Sequence, residues 1–207
     1  CVTWVYALCS LGDELYAAIA RHGVKGLRWM GEVWRYRSGR WARIGGEGVG
    51  DSWRLDHSNI VTSLVPYQGK LVLGYNCQDA VNDPSRFGNV WVWDPEVEQW
   101  YSLALPVSCP DETFLPDQSS FNASAIWDGH LVIAGGCADP VGRVGYWVLS
   151  VAEERWVCLG YPSGSDQDAD AQTTDAYGYS MTIFEDDLMV GCKGNVGTAH
   201  LWRCRRA

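Results

Sequence analysis

Four segments of the chain align with one another at a nearly constant offset, and this constrains the fold more than any other feature. Val5-Tyr-Ala-Leu-Cys-Ser-Leu-Gly-Asp-Glu-Leu15 superimposes without a gap on Val61-Thr-Ser-Leu-Val-Pro-Tyr-Gln-Gly-Lys-Leu71, 56 residues later. Leu131 of Trp127-Asp-Gly-His-Leu-Val-Ile-Ala-Gly-Gly136 lies 60 residues beyond Leu71, and Leu188 of Phe184-Glu-Asp-Asp-Leu-Met-Val-Gly191 a further 57. Self-similarity of this kind means one supersecondary unit that buries its apolar faces against copies of itself.

Each unit reads as four short strands. A first strand, such as Val61 to Val65 or Ser124 to Trp127, meets a tight turn carrying Gln68-Gly69 or Asp128-Gly129, residues that tolerate the positive φ of hairpin turns. Second strands follow at Leu15-Tyr-Ala-Ala-Ile, Leu71-Val-Leu-Gly-Tyr, Leu131-Val-Ile-Ala-Gly-Gly and Leu188-Met-Val-Gly-Cys, apolar runs suited to burial on both faces. Third strands carry Trp34, Trp91, Trp147 and Trp202, and fourth strands open on Trp41, Trp100 and Trp156. Their fixed positions mark these tryptophans, with Trp93, as packing between units. The last unit shows no fourth strand. This pattern predicts an all-β chain: a small β-propeller of four blades of about 56 residues, the last lacking its outer strand. The expected blades run approximately over 1-56, 57-116, 117-174 and 175-207, within a single domain spanning 1-207.

The third unit carries a di-glycine ending its second strand (Gly135-Gly136), an aromatic in its third (Tyr146 or Trp147) and Trp156 in its fourth. This resembles the kelch repeat and implies a divergent kelch-like propeller, since the other units have Ala17-Ala18, Gly74-Tyr75 and Gly191-Cys192 at the di-glycine position. The first unit and its following linker, Gly31 to Trp53, are also similar to repeats of uncharacterised bacterial propeller proteins, which imply no function. Four blades with cysteines near both ends are similar to hemopexin-like domains in architecture alone.

Composition narrows the partners. With 25 acidic against 16 basic residues and a net charge of −9, the chain lacks the basic surplus that duplex nucleic acid demands. It has no run of about 18 apolar residues, so membrane insertion by a helix is not expected. Eight cysteines favour an extracellular compartment. They admit three readings: buried small hydrophobes, a ring-closing bridge from Cys1 to Cys204, or zinc held by Cys77, Cys137 and Cys192 with His22 nearby. No cofactor is expected; zinc is a subordinate reading, as is calcium at Asp166-Asp170, where Ala171 and Tyr177 break the EF-hand pattern.

Function is sought where the repeat fails. Arg21, Lys25, Arg28 and Trp29 lie in a basic-aromatic connection of an acidic protein, Trp53 lies in a second connection, and Asp166, Asp168 and Asp170 alternate in a third. Guanidinium groups and indoles in loops suit recognition of acidic groups or stacking on sugar rings. Asn122-Ala-Ser124 is a glycosylation sequon, and no nucleophile elbow, zincin helix or phosphate loop occurs. The expectation is a non-catalytic recognition module that binds a protein or peptide through the loops of one propeller face. The alternative is a carbohydrate-binding, lectin-like propeller, and a hydrolase or lyase with axial carboxylates is the third class.

Overall fold

The structure is a computed structural model, and it describes residues 3–22, 29–46, 49, 59–77, 90–103, 107–108, 120–136, 144–150, 155–160, 175–194 and 199–205. Among the described residues there is no helix. The described residues form sixteen strands in four sheets. The first sheet holds β1 (Thr3–Leu11), β2 (Glu14–His22), β3 (Trp29–Arg37) and β4 (Arg40–Gly45) in chain order. The second holds β5 (Asn59–Tyr67), β6 (Lys70–Cys77), β7 (Trp91–Asp94) and β8 (Gln99–Ser102) in the same order. β9 (Val107–Ser108) belongs to the third sheet, with β10 (Ser120–Trp127), β11 (His130–Gly136), β12 (Val144–Ser150) and β13 (Arg155–Gly160). The fourth consists of β14 (Asp175–Phe184), β15 (Asp187–Gly194) and β16 (Ala199–Cys204).

Every expected strand of the repeat is therefore present, with one addition. β9 pairs in parallel along β13, Trp156 opposite Val107, and gives the third sheet a fifth strand. A two-residue strand has no periodicity of its own, so the sequence pattern does not announce it. The chain divides into two compact units, Cys1–Ala104 and Leu105–Ala207, so β9 falls with the sheet it pairs with.

Turn chemistry fixes the hairpins. Gln68 and Gly69 have φ of 49° and 76°, and Asp128 and Gly129 have 50° and 77°, which is the I′ geometry that matches strand twist. The fourth sheet makes the corresponding turn with Glu185 (φ 51°) and Asp186 (φ 68°), neither of them glycine.

Within each unit the two sheets pack face to face. In the first, Tyr16, Ala18, Val33 and Ile44 of one sheet meet Val61, Leu64, Leu71, Leu73, Trp93 and Trp100 of the next. Each fully buried Leu or Val there contributes roughly 1.5–3 kcal/mol. The Trp100 indole Nε1 also donates to the Ile44 carbonyl at 2.7 Å, closing the seam with a buried bond. In the second unit Ala123, Ala125, Val132 and Ala134 meet Leu188, Val190 and Cys192, and Trp127 Nε1 donates to the Asp186 carbonyl at 2.8 Å.

The repeated tryptophans divide by environment. Trp93 and Trp100 lie in the seam, and Trp91 and Trp202 pack against the clusters. Trp41 instead stays 46% exposed and leans on Tyr36, with ring centroids 5.3 Å apart.

Cys204 is a free thiol, which goes against the reading of a ring-closing bridge to Cys1; Cys1 itself lies outside the described residues. Cys192 is buried in the apolar seam of the second unit. No group of three or more metal-ligating side chains occurs among the described residues, and Cys137 and Asp166 to Asp170 lie outside them.

Candidate functional site

The two ends of each sheet differ. One end carries tight turns, with positive φ at Gly12, Ser38, Gly39, Gln68, Gly69, Glu98, Asp128, Gly129, Glu185 and Asp186. The other end carries the connections between second and third strands and those between sheets. Connecting segments held by a rigid scaffold are where binding residues concentrate.

At the tight-turn end the charged groups serve the scaffold. Lys70 on β6 pairs with Asp94 on β7 and lies 5.4 Å from the Tyr101 ring centre. That bond from Lys70 holds the Asp94 carboxyl below its ordinary range. Arg35 on β3 reaches Glu98, in the turn after β7, at 2.9 Å and so ties the first sheet to the second. Burial works against the Arg35 charge, but the bond to Glu98 and the nearby Glu14 outweigh it and raise its pKa. Glu98 is held below the usual carboxylate range by Arg35 in return. Tyr16, fully buried, donates to Glu14; desolvation first, then this carboxylate, pushes the phenol pKa up.

The long-connection end of the first sheet holds a different constellation. Glu32 on β3 is 3% exposed and is met from three sides. Trp34 Nε1 donates to its Oε2 at 2.8 Å, and Arg43 on β4 donates to its Oε1 at 3.0 Å. Arg21 on β2 brings its Nε to 2.8 Å from the same Oε1. The Arg21 N–H points off the line to that oxygen, so the contact is charge against charge, not an aligned hydrogen bond.

Register explains the meeting. Met30 opposes Arg21, and Ile19 opposes Glu32, so Arg21 sits diagonally across the ladder from the carboxylate. A register shift between Val33 and Trp34 against β4 sets Trp34 opposite Arg43. Gly46, at φ +120°, completes the enclosure: a side chain there would sit 3.1 Å from the Gly31 carbonyl and 3.2 Å from Glu32 Cγ.

A second feature repeats along the chain. The first strand of every sheet carries a register shift against its neighbour, between Val5 and Ala7, Val61 and Ser63, Phe121 and Ala123, and Gly178 and Ser180. The extra residues, Tyr6, Thr62, Asn122 and Tyr179, are equivalent by the sequence repeat; the first and last are tyrosines and the middle two are small polar residues. Bulges re-aim side chains and recur beside functional sites. Thr62 Oγ1 bonds the Gly74 carbonyl at 3.2 Å, and the Tyr6 ring lies 6.2 Å from that of Trp4. Asn122 is 4% exposed and its Nδ2 meets no acceptor among the described residues, so the Asn122 sequon offers no surface acceptor for a glycan.

Of the residues singled out from sequence, Arg21 is in the Glu32 cluster, with its side chain 39% exposed. Trp29 opens β3 opposite His22. Lys25, Arg28, Trp53, Asp166, Asp168 and Asp170 lie outside the described residues. Glu32, Arg43 and Gly46 went unrecognised in the sequence. The available signal was a lone carboxylate at the start of a third strand, where the other repeats have Asn89, Gly145 and His200.

No family model matches the chain, and no curated protein sequence does. Solved structures do. A thermostable family-43 glycoside hydrolase superimposes with a TM-score of 0.58 at 11% identity, covering 97% of this chain and 70% of that one. An α-L-arabinofuranosidase from Lactobacillus brevis gives 0.51 at 12% identity, covering 95% and 70%. A Trypanosoma rangeli sialidase gives 0.56 at 15% identity, covering 92% of this chain and 29% of that one. These neighbours are β-propellers.

At such identities the likeness carries the fold alone. The kelch resemblance accordingly remains one of sequence pattern. The expectation of a non-catalytic protein- or peptide-binding module is corrected by the same comparison: these three solved structures are a glycoside hydrolase, an arabinofuranosidase and a sialidase, and none is a peptide-recognition module.

Proposed function

We propose that the chain is a carbohydrate-recognising β-propeller, with the four sheets as its blades and the long-connection end of the first sheet contributing to the sugar site. The observation that carries this reading is the Arg21–Glu32–Arg43 cluster on a scaffold whose solved neighbours include a glycoside hydrolase, an arabinofuranosidase and a sialidase. Guanidinium groups held by a buried carboxylate present planar donors at fixed positions, and sugars are recognised by such donors alongside aromatic faces. Trp29, at the start of β3, and Trp53, in the following connection, are the aromatic candidates for that role.

Both oxygens of Glu32 are engaged by Trp34, Arg43 and Arg21, so this carboxylate is a positioning residue and not a proton donor or nucleophile. The test is a glycan array probed with the purified chain and with Arg21→Ala. Retention on a defined subset of oligosaccharides, lost in the variant, is expected. Retention on none, with the native chain shown folded, overturns the reading.

A further inference from the structure

We infer that the Arg21 cluster is a subsite for an acidic sugar, with the Arg21 guanidinium receiving a glycan carboxylate; this rests on the carbohydrate reading above and names its substrate class. The charge distribution points there first. In a chain of net charge −9, the described charges of this cluster are two guanidiniums, Arg21 and Arg43, against one carboxylate, Glu32.

That single acid does not neutralise its surroundings. Two guanidiniums, Arg21 and Arg43, share one oxygen of Glu32, which leaves a surplus positive charge over the cluster. Glu32 is 3% exposed, so its charge is spent inward, while the Arg21 and Arg43 side chains are 39% and 30% exposed. The positive side of the cluster therefore meets solvent, and the negative side does not.

The Arg21 donors are also incompletely used. Its Nε is buried without an aligned acceptor, while the side chain as a whole is 39% exposed. A guanidinium anchored at one edge and open along the other matches a planar carboxylate, which accepts two parallel N–H bonds. A neutral sugar hydroxyl would use the same donors but would gain nothing from the surplus charge.

The experiment is isothermal titration of the native chain with four probes: an oligogalacturonate, its methyl ester, sialyllactose and lactose. At least one carboxylate sugar should bind tenfold or more tighter than its ester or neutral counterpart, and weaken as salt rises. The arm that binds separates a uronate from a sialyl source. Arg21→Ala should abolish that preference, and Arg21→Lys should restore the salt dependence but only part of the affinity, because an ammonium lacks the bidentate fork. Glu32→Gln should loosen both arginines; should it unfold, the two Arg21 variants, checked for native tryptophan fluorescence, carry the test. Equal binding of acid, ester and neutral sugars would overturn this inference and leave the carbohydrate reading standing. Acid preference unchanged in Arg21→Ala would also overturn it. Binding of none of the four, joined to a blank array, would remove both.

Discussion

Replacing Trp100 with phenylalanine tests whether the repeated tryptophans hold the sheets together. Trp100 is 6% exposed, its Nε1 donates to the Ile44 carbonyl at 2.7 Å, and its ring sits 5.3 Å from that of Trp93. Phenylalanine keeps an aromatic ring but removes the donor, leaving a buried carbonyl short of its partner at a cost of about 1–3 kcal/mol. The smaller ring also leaves a void worth roughly 1 kcal/mol. Together the loss is about 2–4 kcal/mol, large against the 5–15 kcal/mol of a typical domain. Trp41 supplies the control, since it occupies the same place in the repeat but is 46% exposed. Trp41→Phe should cost no more than about 0.5 kcal/mol. Urea unfolding followed by tryptophan fluorescence and far-UV circular dichroism measures both variants. Equal losses for the pair, or a Trp100→Phe loss below about 1 kcal/mol, would refute the assignment of the seam to this bond.

Three further outcomes follow from local chemistry. Arg35 depresses the Glu98 pKa, so this carboxylate contributes stability above its ordinary pKa of 4.5, and the contribution is lost as pH falls through the lower folded value. Glu98→Gln should thus be less stable than the native chain at neutral pH, with the gap closing on acidification below 4.5; a gap that persists to full acid unfolding contradicts the pairing. Burial pushes the Cys9 thiol up to about 11, so only roughly a thousandth of it is thiolate near pH 8. Alkylation of the folded chain at Cys9 should then be far slower than in urea, by peptide mass mapping, and equal rates would contradict its burial. Asp186→Gly relieves a left-handed residue while keeping the main-chain carbonyl that Trp127 donates to, and should raise stability by about 0.5–1 kcal/mol in thermal melts. A loss of stability would show that the Asp186 side chain matters more than its φ.

Much of the fold was legible because the repeat aligns residues whose jobs are local. Gln68-Gly69 and Asp128-Gly129 announce their turns, and Leu71 and Leu131 announce buried second strands, through properties that need no knowledge of the neighbours. Glu185-Asp186 makes the same turn without the glycine that would reveal it. The bulges at Tyr6, Thr62 and Asn122 were invisible, since an extra residue in one strand is defined only against the register of its partner. The Glu32 cluster hid for the same reason. A glutamate between Gly31 and Val33 reads as a solvent-facing strand residue. Only the ladder that carries Arg21 across from β2, and the register shift that aligns Arg43 with Trp34, turn it into a buried charge centre.

Hydrogen–deuterium exchange of the native chain, with and without the oligosaccharide that the array selects, tests the central claim most directly. The account predicts slowed exchange at the long-connection end of the first sheet, in the last residues of β2 and around Met30 to Val33, with the tight turns at Gly12 and at Ser38 and Gly39 unchanged. Protection confined to those turns, or no protection at a saturating sugar concentration, would contradict it.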